Sequence, residues 1–186
     1  MRTPHRIALS VFGLTSLGLV GFGVAATQEP PPPPEPLEQH QWLQRLAGEW
    51  EMTFGEAFDE GQVGGTEVFR PLGGLWVLSE GTAKIGDTTF ESRMTLGYDP
   101  GEEAFVGTWI DTVQMHLWVY RGQLDAEGKV LTLETEGPSM FDPEATARYR
   151  DQIRWLGEHE KQMTSSYLDA QGEWVEMMVS TARRKR

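Results

Sequence analysis

The feature that most constrains this chain is a period-two alternation of apolar and polar side chains. It runs from Trp50 to the end in short bursts separated by turn residues. Alternation of that kind sends successive side chains to opposite faces of an extended backbone, so each burst reads as a strand with one buried face. The clearest case spans Met94 to Asp111, where Asp99-Pro100-Gly101 interrupts two such bursts. Proline presets φ for a first turn position, glycine accepts positive φ, and aspartate bonds its own downstream backbone.

The same reading places strands at 50–57, 63–70, 75–84, 88–98, 104–111, 115–125, 129–136, 147–157, 160–169 and 173–182. Between them stand Gly73-Gly74, Gly86-Asp87, Ala126-Glu127-Gly128, Gly157-Glu158-His159 and Asp169 to Gly172. Connections this short make neighbouring strands antiparallel. Residues 137–146 form the longest interruption. An open sheet of about ten strands would keep two long edges and a bare apolar face, and closure into a barrel removes both. The expected fold is therefore all-β, a closed antiparallel barrel of about ten strands. One short helix precedes it: Leu37, Trp42, Leu43 and Leu46 fall at helical spacing and Gly48 follows as a stop, which predicts about three turns over 37–47.

Ahead of the helix, Arg2, His5 and Arg6 are followed by an uncharged, largely apolar run from Ile7 to Val24 and then by Ala25-Ala26. That order predicts a secretory signal peptide over 1–26 and a periplasmic or secreted product. An uncleaved membrane anchor is the competing reading, since the run approaches the ~20 residues that span a bilayer. Residues 27–36 form a proline-rich linker of polyproline II character, because Pro30 to Pro34 and Pro36 lack backbone donors. The barrel domain is expected over 37–183, with 184–186 as a solvated basic tail.

Loss of residues 1–26 would remove two arginines and no acid, moving the net charge from −12 to −14. Such an acidic product lacks the basic face that nucleic acid requires. There is no cysteine, which excludes disulfides, thiol nucleophiles, a lipidated N-terminal cysteine and cysteine-ligated metals.

Several short motifs occur in order: His40-Gln-Trp-Leu-Gln-Arg-Leu-Ala-Gly-Glu-Trp50, Leu72-Gly-Gly74, Leu96-Gly-Tyr-Asp-Pro100 and Gly107-Thr-Trp-Ile-Asp111. Together they resemble the secreted bacterial family known as domain of unknown function 1579, over Glu38 to Arg183. The resemblance implies a calycin, a lipocalin-like barrel, and no defined reaction. Family members often carry an aromatic residue before the final arginine, where this chain has Thr181-Ala182-Arg183.

Trp50, at the entry to the first strand, is expected to plug the closed end with its N–H bonded to a neighbouring strand. Tyr98, Trp109 and Asp111 form the sharper group. Trp109 and Asp111 are two apart on one strand and must share a face, so an inward Trp109 brings a carboxylate to the barrel mouth. That carboxylate either orients a ligand with a nearby cation or bonds backbone donors at the strand end. Arg93, Arg121, Arg148 and Arg150 are the available cations, and Arg150 is grouped with Tyr98, Trp109, Asp111 and Trp118 as the candidate ligand-binding set.

His116 is a lone strand histidine without a second ligand at metal-binding spacing, so no metal or haem is expected. Met140, Met163, Met177 and Met178 read as core or cavity filler. Serines sit in no nucleophile-elbow context, and phosphate-binding and dinucleotide motifs are absent. The leading function is thus binding of a small, mostly apolar ligand inside the barrel, with no membrane association after signal cleavage. An enzyme using an Asp/Arg acid–base pair in the same cavity and a structural envelope protein with a filled core are the alternatives.

Overall fold

The computed structural model describes residues 32–55, 63–85, 87–142 and 144–186. The expected signal peptide, the linker as far as Pro31, positions 56–57 of the first expected strand and Gly86 lie outside the described residues. Among the described residues, no helix is long and apolar enough to cross a membrane.

Helix α1 (Glu38–Gln44) leads into β1 (Gly48–Phe54), β2 (Val63–Leu72), β3 (Trp76–Ile85), β4 (Thr88–Asp99) and β5 (Ala104–Asp111). Then come β6 (Trp118–Leu124), β7 (Val130–Pro138), β8 (Thr146–Gly157), β9 (Glu160–Leu168) and β10 (Trp174–Arg184). Each strand pairs antiparallel with its chain neighbours, and β1 pairs with β10, Trp50 opposite Arg184, to close the barrel. Closure leaves no free sheet edge. The core is a continuous cluster that includes Trp50, Phe69, Leu96, Phe105, Leu131, Leu133 and Ile153, all on strands.

Helix α1 covers one end. Its Trp42 meets Phe105 and Trp155 edge-on, with ring centroids 6.1 and 6.0 Å apart, and its indole N–H donates to the Gly128 carbonyl at 2.9 Å. His40 ties the helix to β4: Nδ1 accepts from Leu37 N–H at 2.9 Å, so Nε2 carries the proton that reaches the Tyr98 carbonyl at 3.2 Å.

Four local expectations change. The helix is seven residues long, because the chain tightens after Gln44 into bonds from Arg45, Leu46 and Ala47 to carbonyls three residues back. Trp50 is fully buried at the closed end, yet its N–H donates to Leu46 O at 2.8 Å, on the approach to its own strand. At the β4–β5 turn, Asp99 Oδ1 accepts from Gly101 N–H and Glu102 N–H, and the positive φ of 51° falls on Glu103 rather than Gly101. Finally, β6 begins at Trp118 rather than 115, and Met115, Leu117 and Val119 are exposed, so its aliphatic face is not covered.

Arg184 is the last residue of β10. Its guanidinium lies 4.2 Å from the Trp50 ring centroid, donates to the Arg45 carbonyl at 2.7 Å and bonds the Ala47 carbonyl. Gly48 makes room for it: φ there is 125°, and a Cβ would collide with Arg184 Nη1. The expected tail thus begins at Lys185, while Arg184 clamps the helix to the barrel.

Candidate functional site

Away from α1 the barrel interior is incompletely filled. A cavity of about 180 Å3 lies there, walled by Met52, Phe54, Met94, Trp109, Met163 and Met178. Polar side chains that face it are Glu67, Ser79, Ser92, Asp111, Ser165 and Ser180. The alternation of β5 places Phe105 in the closed-end core, and Trp109 and Asp111 progressively nearer the open end. Larger depressions, of about 400, 340 and 770 Å3, lie on the outside beside Phe141 and Tyr167, beside His116 and Pro138, and beside Arg183 to Arg186. They are open to solvent and lack the enclosed apolar walls that hold a small ligand.

Two buried polar networks stand behind the cavity wall. In the first, Lys161 Nζ meets Glu67 Oε2 at 2.8 Å with side chains only 5% and 13% exposed, and Ser79 Oγ donates to Glu67 Oε1 at 3.0 Å. Lys161 also lies 4.7 Å from the Phe69 ring centroid and 5.2 Å from that of Trp50. In the second, Tyr120 Oη and Ser165 Oγ both donate to Asp151, each at 2.5 Å. Burial pushes the Asp151 carboxyl above the usual carboxylate range, although both hydroxyls favour its ionised form. Burial and the Asp151 charge push Tyr120 well above the ordinary tyrosine value, which keeps its hydroxyl a donor.

The five residues singled out from the sequence do not come together. Trp109 and Asp111 both line the cavity. Trp109 has its indole nitrogen buried without a partner. Asp111 Oδ1 accepts from Val113 N–H at 2.8 Å and Gln114 N–H at 2.7 Å, and Oδ2 from Gln114 Nε2 at 3.4 Å. It orders the β5–β6 loop and meets no cation among the described residues.

Tyr98 packs at the closed end, 5.2 Å from Phe105 and 5.8 Å from His40. Trp118 is buried between His116 and Tyr149, at 4.7 and 5.0 Å, and lies over Gly137. Arg150 points outward and stacks on Trp174 at 4.5 Å. Its strand position explains this: Tyr149, Asp151 and Ile153 take the inward face of β8, leaving Arg148 and Arg150 outside. No arginine lines the cavity beside Asp111, so the Asp/Arg pair expected for acid–base work is not assembled among the described residues. Among the described residues, no group of three His, Asp or Glu side chains is placed to hold a metal.

A family profile described as protein of unknown function, DUF1579, matches residues 35–184. The chain belongs to the DUF1579 family. No curated protein matches it in sequence. Among solved structures, this DUF1579 chain is similar to the S-type phycobiliprotein lyase CPES from Guillardia theta. Identity is 13%, covering 78% of this chain and 92% of that one, with a TM-score of 0.51. A redesigned beta barrel matches at 12% identity over 77% of this chain and 95% of that chain, with a TM-score of 0.41. The likeness to the lyase establishes a shared barrel fold.

Sequence reading of this DUF1579 barrel missed the Lys161–Glu67–Ser79 and Tyr120–Asp151–Ser165 networks. Each joins residues from different strands, up to 94 positions apart, and only register brings them together. One signal was available. Lys161 and Asp151 occupy inward positions of strands whose other inward residues, Met163, Ile153 and Trp155, are apolar, and a charge there calls for a partner. Of the methionines read as filler, Met163 and Met178 do line the cavity and Met177 packs on the core, while Met140 is exposed.

Proposed function

We propose that this protein is exported and that its barrel binds a small, mostly apolar molecule in the open half of its interior. The observation that carries the reading is the cavity itself, enclosed by four methionines, Phe54 and Trp109. Unbranched thioether side chains adapt their shape at little cost, so the space of about 180 Å3 can expand around a guest. A comparably small apolar cavity of about 150 Å3 suffices for a single benzene ring. Export is supported by the charge, apolar run and small residues at the N-terminus.

Ser92 sits at the cavity wall and its hydroxyl has no hydrogen-bond partner among the described residues, so a bulky replacement there occludes the space without breaking a network. Native mass spectrometry of protein purified from its own host should reveal a bound small molecule that is lost in Ser92→Phe. Guest-free protein, together with identical responses of parent and variant to a library of apolar fragments, would remove the reading. For export, N-terminal sequencing should begin near Thr27. Recovery of Met1 from the membrane fraction would favour an anchor.

A further inference from the structure

The charged side chains that face the cavity are one-sided. They are two carboxylates, Glu67 and Asp111, and the lining holds no lysine, arginine or histidine. Lys161, the nearest buried cation, stands behind the wall and is committed to Glu67. Two of the four cavity serines have their hydroxyl protons engaged: Ser79 donates to Glu67 and Ser165 donates to Asp151. A hydroxyl whose proton is engaged can only accept further hydrogen bonds. Ser180, 5% exposed and facing the same space, makes no side-chain hydrogen bond among the described residues, so its hydroxyl is available to a guest.

From this we infer that the cavity selects a small organic cation, an ammonium group carried on an apolar body. The inference rests on the binding reading above and specifies its ligand class. The ammonium group belongs near the mouth, beside Asp111 and the face of Trp109, where the carboxylate meets no cation among the described residues. The apolar body belongs among the methionines. A bare metal ion is a poor occupant, because the carboxylates are not clustered as metal ligands and the remaining walls are thioether and aromatic. The net charge of −12 adds a long-range field of the same preference.

Three probes of one shape separate the possibilities: benzylammonium, benzyl alcohol and benzoate, titrated by calorimetry and ligand-observed NMR into the purified protein. Benzylammonium should bind at least about tenfold more tightly than benzoate, with a margin that shrinks as salt is added. In Asp111→Asn, its advantage over benzyl alcohol should narrow by about fivefold. Asparagine keeps an acceptor for the Val113 and Gln114 N–H groups, so the loop is retained. Equal or tighter binding of benzyl alcohol or benzoate by the parent would overturn the cation preference and leave the cavity reading standing. Binding of none of the three would take down both.

Discussion

The helix-covered end and the open end of the barrel are built from the same ten strands, yet they use bulky side chains in opposite ways. At the covered end Trp42 and Trp50 interlock with Trp155 and Phe105, both place their N–H groups on carbonyls, and Arg184 lies across Trp50. At the open end Trp109 is half-buried, its N–H has no partner, and its neighbours are methionines around a void. Interlocked rigid rings specify one arrangement, whereas thioethers tolerate several. The contrast teaches that the covered end carries stability and the open end carries adaptability.

The largest test compares the two tryptophans. Trp50→Ala deletes a fully buried indole from a filled region and should cost about 3–5 kcal/mol in chemical denaturation. Trp109→Ala enlarges a space that already exists and should cost about half as much or less. Equal losses at the two sites would break the comparison.

A second test addresses the ion pair between the two regions. Lys161→Met leaves Glu67 buried without its cation and should cost about 3 kcal/mol. Combining it with Glu67→Gln should restore most of that stability, because the penalty comes from the uncompensated charge. Thermal melts of the single and double variants check this. No recovery in the double variant would mean that the Lys161 ammonium's place over the Trp50 and Phe69 rings matters more than its pairing with Glu67.

The third effect is one of pH. The folded state holds the Asp151 proton more tightly than the unfolded chain does, because burial raises its pKa. From about pH 4 upward the folded state therefore binds more protons at this site. Its contribution to stability falls as pH rises and levels off once the folded carboxyl has ionised too. Asp151→Asn keeps the shape and removes that fall, so its stability should decline less with pH than the parent's. An unchanged slope would locate the titration elsewhere.

These tests fall where the sequence was least legible. The strands could be read because alternation is a local property, and Trp109 and Asp111 reached the cavity together for the same reason. The direction of an isolated arginine could not. Arg150 follows an aromatic and precedes an acid, and only the register that turns Tyr149 and Asp151 inward shows that it faces solvent and stacks on Trp174. Likewise Met115, Leu117 and Val119 alternate as well as any buried face, and nothing local in them reveals that their side of the barrel is uncovered. Long-range pairing, as in Lys161 with Glu67, lies beyond any local pattern.

The smallest expected effect belongs to Asp111, and it sharpens the comparison most directly. Its carboxylate faces a cavity and also anchors the backbone of residues 113 and 114, with both contacts near solvent. Asp111→Asn preserves one acceptor oxygen, so the loop bonds persist and the stability change should stay below about 1 kcal/mol. Asp111→Ala removes both oxygens, and its cost should approach that of a lost helix cap, about 1 kcal/mol. An open end that carries recognition rather than stability predicts near-parental melting for Asp111→Asn together with altered ligand preference. A loss for Asp111→Asn as large as that for Lys161→Met would instead make the rim part of the stabilising framework, and the division between the two ends would have to be redrawn.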